Sequence, residues 1–290
     1  MVPGAVSPKD KLKLVTEKIS SLPTLPKVIS EITSLMQNPR TSAEEVGRAI
    51  TMDQSLASKV LRLVNSAFYG FPGRVNTITH AIVILGFNTV KNIVLTASVF
   101  DKLGGKGQCG TFDLEKFWLH SIATGVIAKE IAKKVNFRSS EESFLAGLLH
   151  DIGKVILFKF LNEEFVQVQQ QLEKEPSLFI DAEIKSIGIT HNEIGSWLAT
   201  KWNLPDDLSS AILYHHTPVL ATKHRTMVYA VHAADILARS LCIGAPGDKK
   251  IPVFSSDVWD DLKFSRQLID KIYRDIEYEL EKSAIFFQIM

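Results

Sequence analysis

The chain is poor in cysteine: Cys109 and Cys242 are the only two in 290 residues, and they fit no CxxC spacing. A disulfide framework is therefore not expected, and the pair reads as free thiols of a reducing compartment. A basic excess is also missing, with 33 Lys and Arg against 32 Asp and Glu and a net charge of +1. That disfavours nucleic-acid and anionic-membrane partners, because phosphate contact needs a basic face. No apolar run reaches the ~18 residues of a spanning helix, and Met1–Asp10 carries no signal-peptide core. The expected location is therefore the cytoplasm. Strand alternation, internal repeats and low-complexity tracts are absent as well. What remains is a chain 46% hydrophobic and 22% charged, a globular balance.

Helical periodicity dominates, so the expected fold class is all-α. Leu12, Val15, Ile19 and Leu22 outline a leading helix, and Leu22-Pro-Thr-Leu-Pro26 is a rigid break. Val28, Ile29, Ile32 and Leu35 stripe the next helix, which Pro39 ends. Thr41-Ser-Ala-Glu44, Ser139-Ser-Glu-Glu142 and Thr190-His-Asn-Glu193 read as capping boxes, the second opening a helix that runs to about Phe160. Asp53 is expected to cap the run containing Leu56, Val60 and Leu63. Tyr69-Gly-Phe-Pro-Gly73 is a turn. Gly86 is expected to close a helix in the left-handed region, with Asn88 starting the next. Residues 103–110 hold four glycines and form the clearest internal loop. Helices are expected over about 113–134 and 218–242. Gly244-Ala-Pro-Gly-Asp248 reads as a linker, and Leu268, Ile272, Ile276 and Leu280 as one face of an amphipathic tail helix.

Seven of the eight histidines fall between His120 and His232. The informative object is His150-Asp151-Ile-Gly-Lys154, set among Leu145, Leu148, Leu149, Val155 and Ile156. A carboxylate in such an apolar stretch needs a partner, either a metal ion or a buried Lys or Arg. Gly153 would leave space beside the doublet. His120 points to the apolar face of its helix, where a lone histidine is more often a core residue than a ligand. His191 sits in the first turn of a capped helix, where the dipole should favour the neutral ring. Its bland alternative is a surface histidine. His215 and His216 are adjacent and point about 100° apart on a helix, so both reach one site only where the helix end bends. Asp235 is a second carboxylate in an apolar helix and can share a face with His232. His224 reads as solvent-facing. Lys154 either faces phosphate oxygens or snorkels to the surface. Taken together, imidazoles and carboxylates on successive helices suit zinc, manganese or iron. Two such ions would polarise a phosphoryl group.

The doublet with Gly153 and Lys154 resembles the HDxGK hallmark of the HD superfamily of metal-dependent phosphohydrolases. On that resemblance His120, His150, Asp151 and Asp235 correspond to the basic metal set. His191, His215 and His216 correspond to extra ligands of the HD-GYP branch, which hydrolyses cyclic di-GMP and in which the counterpart of Asp151 bridges two metals. Thr217-Pro218 follows the histidine pair in place of a Gly-Tyr-Pro element, which argues against that substrate. Lys116 stands where trinuclear members supply a glutamate, which implies no third metal.

The first half resembles the HDOD family through Leu22-Pro-Thr-Leu-Pro26, Ile50-Thr-Met-Asp53, Leu61-Arg-Leu-Val-Asn-Ser-Ala67, Ile78-Thr-His-Ala81 and Ile84-Leu-Gly86. Trp202-Asn-Leu-Pro205 before Tyr214-His-His216 adds to it, and Gln54 replaces a usual proline. The resemblance covers about residues 21–240. It implies a multi-helix HD-like core with an N-terminal helical subdomain: a leading helix over 1–20, the N-terminal half over 21–106, the core over 107–243, and a linker with tail helix over 244–290. It further implies a bacterial signal-transduction output module that works through a signalling protein partner, with one or two bound Fe, Mn or Zn ions. The alternative it carries is a phosphohydrolase acting on a nucleotide or cyclic dinucleotide, with Lys154 as the catalytic residue.

Overall fold

A computed structural model describes residues 8–17, 19, 27–38 and 40–290. The expected break at Leu22-Pro-Thr-Leu-Pro26 and the stop at Pro39 lie outside the described residues. In chain order the helices are α1 (Pro8–Glu17), α2 (Lys27–Gln37), α3 (Ala43–Thr51), α4 (Gln54–Val64) and α5 (Ile78–Leu103). The pair β1 (Gln108–Cys109) and β2 (Phe112–Asp113) follows, antiparallel and two residues each. Then come α6 (Leu114–Lys134), α7 (Ser140–Leu149), α8 (Ile152–Phe160), α9 (Asn162–Lys174), α10 (Phe179–Ser186), α11 (His191–Lys201) and α12 (Asp206–Tyr214). A 3-10 turn at Pro218–Leu220 precedes α13 (Arg225–Ser240), α14 (Ser256–Asp261), α15 (Arg266–Ser283) and α16 (Ile285–Ile289). The all-α class holds, with β1 and β2 the only strands among the described residues.

The chain divides into two units. One comprises 1–22 and 106–272, the other 23–105 and 273–290. In the second, α3 packs on α2 and on α4, and all three pack on α5. Ser42, not Thr41, caps α3, and its box is closed by Glu45, so the expected register was one residue early. Asp53 caps α4 through Leu56 N. Asn65, from the Leu61–Ala67 motif, exchanges two 2.8 Å hydrogen bonds with the Val75 backbone and so pins the turn between them. Phe286 of α16 meets Phe68 edge-on with ring centroids 5.0 Å apart.

By length and composition α5 is the one described helix that can cross a membrane, although 56% of its most apolar window is buried. No such stretch was expected. Gly86 explains the difference: its φ of 81° lies in the left-handed region and breaks the helix into 78–85 and 87–103. Neither piece reaches the ~20 residues that span a bilayer.

The other unit is built on α6, which packs against α7 and α13. Gly125 and Gly147 let α6 and α7 touch backbone to backbone: a Cβ on Gly147 would lie 2.7 Å from Gly125 Cα and from Thr124 O. This close approach brings His120 on α6 near His150 at the end of α7. Asp113 caps α6 through Glu115 and Lys116. The expected single helix from 139 to 160 is two, because the chain turns at His150 and Asp151. Ser139 makes no side-chain cap bond, so the second expected capping box does not form. The third does, with Thr190 and Glu193 each bonding the other. The helix expected from about 218 becomes the 3-10 turn followed by α13. In α15, Ile272 and Ile276 are buried.

Candidate metal centre

The turn between α7 and α8 places His150 and Asp151 side by side at 0% exposure. α11 is held on α8 so closely that a Cβ on Gly153 would lie 2.0 Å from His191 O. The space expected beside the doublet is therefore filled by the backbone of α11, and this contact is what delivers His191. His215 is the C-cap of α12, and the helix ends before His216. That bend allows both rings to face one site. All seven candidate ligands come together in two adjoining groups, Asp151 with His191, His215 and His216, and His120 with His150 and Asp235. Lys154, by contrast, is a neighbour of the ligands and is fully buried, so the surface-lysine alternative is overturned. Its ammonium donates to Asp151 Oδ2 at 2.6 Å and to Pro246 O at 3.1 Å.

In the first group, His191 Nε2 lies 3.0 Å and His215 Nε2 3.4 Å from Asp151 Oδ1. His216 Nε2 lies 3.2 Å from His191 Nε2. In the second, His120 Nε2 is 3.0 Å and His150 Nε2 3.8 Å from Asp235 Oδ1. His150 also borders the first group, its Nε2 being 3.3 Å from Asp151 Oδ2.

Backbone carbonyls aim the rings. His150 Nδ1 donates to Gly147 O at 2.6 Å and His215 Nδ1 to Ile212 O at 3.0 Å. Neutral rings held this way turn a bare Nε2 inward, the form in which imidazole binds metals. His150 Nε2, His215 Nε2 and Asp151 Oδ1 are buried with no hydrogen-bond partner. Such groups are costly in a protein interior. Acceptor atoms converging without a donor are what a divalent cation satisfies, so these residues fit a metal ion.

Burial pushes the His215 ring down to about 4 and holds His216 well below the usual histidine range, keeping both neutral. Burial likewise lowers His120, against the pull of Asp235. Burial disfavours ionised Asp151, but His150, Lys154 and His191 outweigh it and hold the carboxyl well below its ordinary value. Asp235 behaves in the same way through Arg239 and His120. His191 corrects the helix-dipole expectation. Burial works to lower it, yet the carboxylates of Glu183 and Asp151 prevail and raise it.

Four residues at the centre escaped the sequence reading. Glu183 on α10 is fully buried, and its Oε2 accepts from both His191 N at 3.0 Å and His191 Nδ1 at 2.7 Å. Arg239, one turn after Asp235, donates Nε to Asp235 Oδ1 at 2.8 Å and Nη1 to Asp248 Oδ1 at 3.0 Å. Pro246 and Asp248 belong to the segment read as a linker. That segment is instead tied to the centre, since Ala245 N donates to Lys116 O and Phe179 N to Asp248. The i,i+4 spacing of Asp235 and Arg239 was a readable signal for one of these contacts. His232 is a structural pin, with Nδ1 donating to His215 O and Nε2 accepting from Ser255 N. His224 is exposed, at a left-handed helix start.

Glu183 holds His191 as a carboxylate holds a metal-ligating imidazole. Glu183→Ala is expected to weaken divalent-metal binding by about 10–100-fold, read by manganese titration against the parent chain.

An all-helical body with histidines and aspartates gathered on successive helices defines an HD-type protein. Residues 22–218 match the HDOD domain model, and the chain belongs to the HDOD family. Among solved structures it resembles an HDOD domain protein of unknown function from Geobacter sulfurreducens, with TM-score 0.80, 27% identity, and coverage of 98% of this chain and 99% of that one. A candidate phosphohydrolase from Shewanella amazonensis SB2B shares the fold at TM-score 0.72, 24% identity, and coverage of 94% and 97%. A candidate signal transduction protein from Marinobacter aquaeolei VT8 does so at TM-score 0.75, 23% identity, and coverage of 96% and 65%. An uncharacterized protein of Treponema pallidum (strain Nichols) is 27% identical over 231 residues, 78% of this chain. The chain spans 44% of that relative's length.

Proposed function

We propose that the chain is a bacterial, cytoplasmic signal-output module of the HDOD type. It works through contacts with a signalling protein and holds divalent metal in a structural or sensing role. Residues 107–243 form its HD-like core and 21–106 its N-terminal half, with nucleic acid and membrane outside its partners. The observation that carries this reading is burial. Six of the seven candidate ligands are at most 2% exposed, and Lys154 is 0% exposed. A phosphodiester must reach the reacting centre, and the segment carrying Ala245, Pro246 and Asp248 lies bonded across it. The family membership and the signal-transduction relative agree with the reading.

A second reading, a metal-dependent phosphohydrolase acting on a nucleotide or cyclic dinucleotide, is favoured by His216. That ring is only partly buried and marks a point of access beside His191. A bound Mn, Fe or Zn ion would supply Lewis acidity and lower the pKa of water there, with Lys154 holding Asp151 in place. The test is a panel of nucleotides and cyclic di-GMP incubated with protein to which Mn²⁺ or Fe²⁺ has been restored. The signalling reading predicts turnover no faster than without protein. Metal-dependent release of phosphate or linear dinucleotide that is lost in His150→Ala would establish the second reading instead.

A further inference from the structure

Resting on the reading that the centre holds metal, we infer that it holds one ion per chain, on Asp151, His191, His215 and His216. Two fixed side-chain cations, Arg239 and Lys154, stand where a second ion would go. The two ligand groups differ in what already occupies their carboxylate oxygens. In the first, Asp151 Oδ1 has no hydrogen-bond partner and faces the Nε2 atoms of His191 and His215 at 3.0 and 3.4 Å. His215 Nδ1 is committed to Ile212 O and His191 Nδ1 to Glu183, so both Nε2 atoms are aimed at the same point. In this group Asp151 Oδ1 and His215 Nε2 have no hydrogen-bond donor, and Lys154 holds only the other carboxylate oxygen, Oδ2.

In the second group the carboxylate is already satisfied, and only the His120 Nδ1 and His150 Nε2 ring nitrogens lack a partner. Asp235 Oδ1 accepts from Arg239 Nε at 2.8 Å and sits 3.0 Å from His120 Nε2. His120 Nδ1 has no hydrogen-bond partner. The ring's proton is therefore used best on Nε2, where it donates to Asp235 and leaves no Nε2 lone pair for a metal. A second ion held through Asp151 Oδ2 would share that atom with the Lys154 ammonium, which donates to it at 2.6 Å. Arg239 is itself held on its far side by Asp248, at 3.0 and 3.1 Å. A second divalent ion would face two positive side chains at close range in a buried site, where charge repulsion is poorly screened. The arrangement thus sets fixed side-chain cations on the carboxylates that a dinuclear centre would need for its second ion.

The experiment is manganese titration of metal-free protein, followed by calorimetry and by the loss of the free-ion spin-resonance signal. It is run on the parent chain and on His215→Gln, His191→Gln and His120→Gln, with thermal melts of the metal-free forms to certify folding. The expected result is one ion per parent chain. His215→Gln and His191→Gln should lose more than the ~10–100-fold typical of an outer contact. His120→Gln should bind within a few-fold of the parent. Two ions per parent chain, or loss of binding in His120→Gln, would overturn the single-ion assignment while leaving the metal-binding reading intact. A parent chain that takes up no manganese would overturn both.

Discussion

Gly153→Ala is expected to be strongly damaging despite its size. One methyl group would be placed 2.0 Å from His191 O and 2.9 Å from Gly195 N, atoms of the facing backbone that no rotamer change can move. Helix α11 must then back away from α8. Inserting an extra carbon into a packed core costs ~1–3 kcal/mol, occasionally more. Backbone contact on both sides puts this case at about 3 kcal/mol or above. For a unit of this size that corresponds to a fall in melting temperature of roughly 6–12 °C. The displacement also carries His191 away from Asp151, so metal uptake should fall even where the variant remains folded. Thermal melting and manganese titration check the two effects separately. A variant that melts with the parent chain would mean that α8 and α11 are not in contact through Gly153.

Lys154→Met is the second large effect, and it separates the two roles open to this lysine. The ammonium is fully buried on Asp151 Oδ2 and Pro246 O, with the Phe179 ring 5.0 Å away. Removing one member of a buried ion pair leaves the other charge unpaired, at a cost of ~3–5 kcal/mol. The loss should be evident in metal-free protein with no phosphate ligand present. The double variant Asp151→Asn with Lys154→Met should recover part of it, because both charges are then gone. Denaturant unfolding of the four proteins completes the cycle. Unchanged stability in Lys154→Met would show that the lysine is free to serve a ligand and that its contacts with Asp151 and Pro246 contribute little.

These two residues also show where sequence reasoning reaches and where it stops. Helix phase was enough to bury His120 and Asp235, and the capping signature at Thr190 located the start of α11 and hence His191. Local signals of this kind depend on residues within one or two turns. The break between α7 and α8 had no such signal. Apolar residues run through it from Leu145 to Ile156 without proline, and the turn exists because α11 packs against Gly153, a contact set by residues about 40 positions away. The same holds for Glu183, which acts on His191 across a turn between helices. It holds too for the segment from Gly244 to Asp248. Its Gly and Pro content reads as a linker, while its function in the fold is to accept Lys154 and answer Arg239. The downward pull on His191 expected from the helix dipole is reversed for a related reason, since a carboxylate at 2.7 Å outweighs a dipole end.

The most direct test of the account is metal content per chain, by elemental analysis of protein purified without chelator and under low oxygen. A single-ion centre predicts about one manganese, iron or zinc ion per chain, retained on dialysis and absent from His215→Gln. Protein that carries none, and takes up none on reconstitution, would contradict it. The histidines would then be packing residues around Asp151, and the module's signal would have to be read through its protein surface alone.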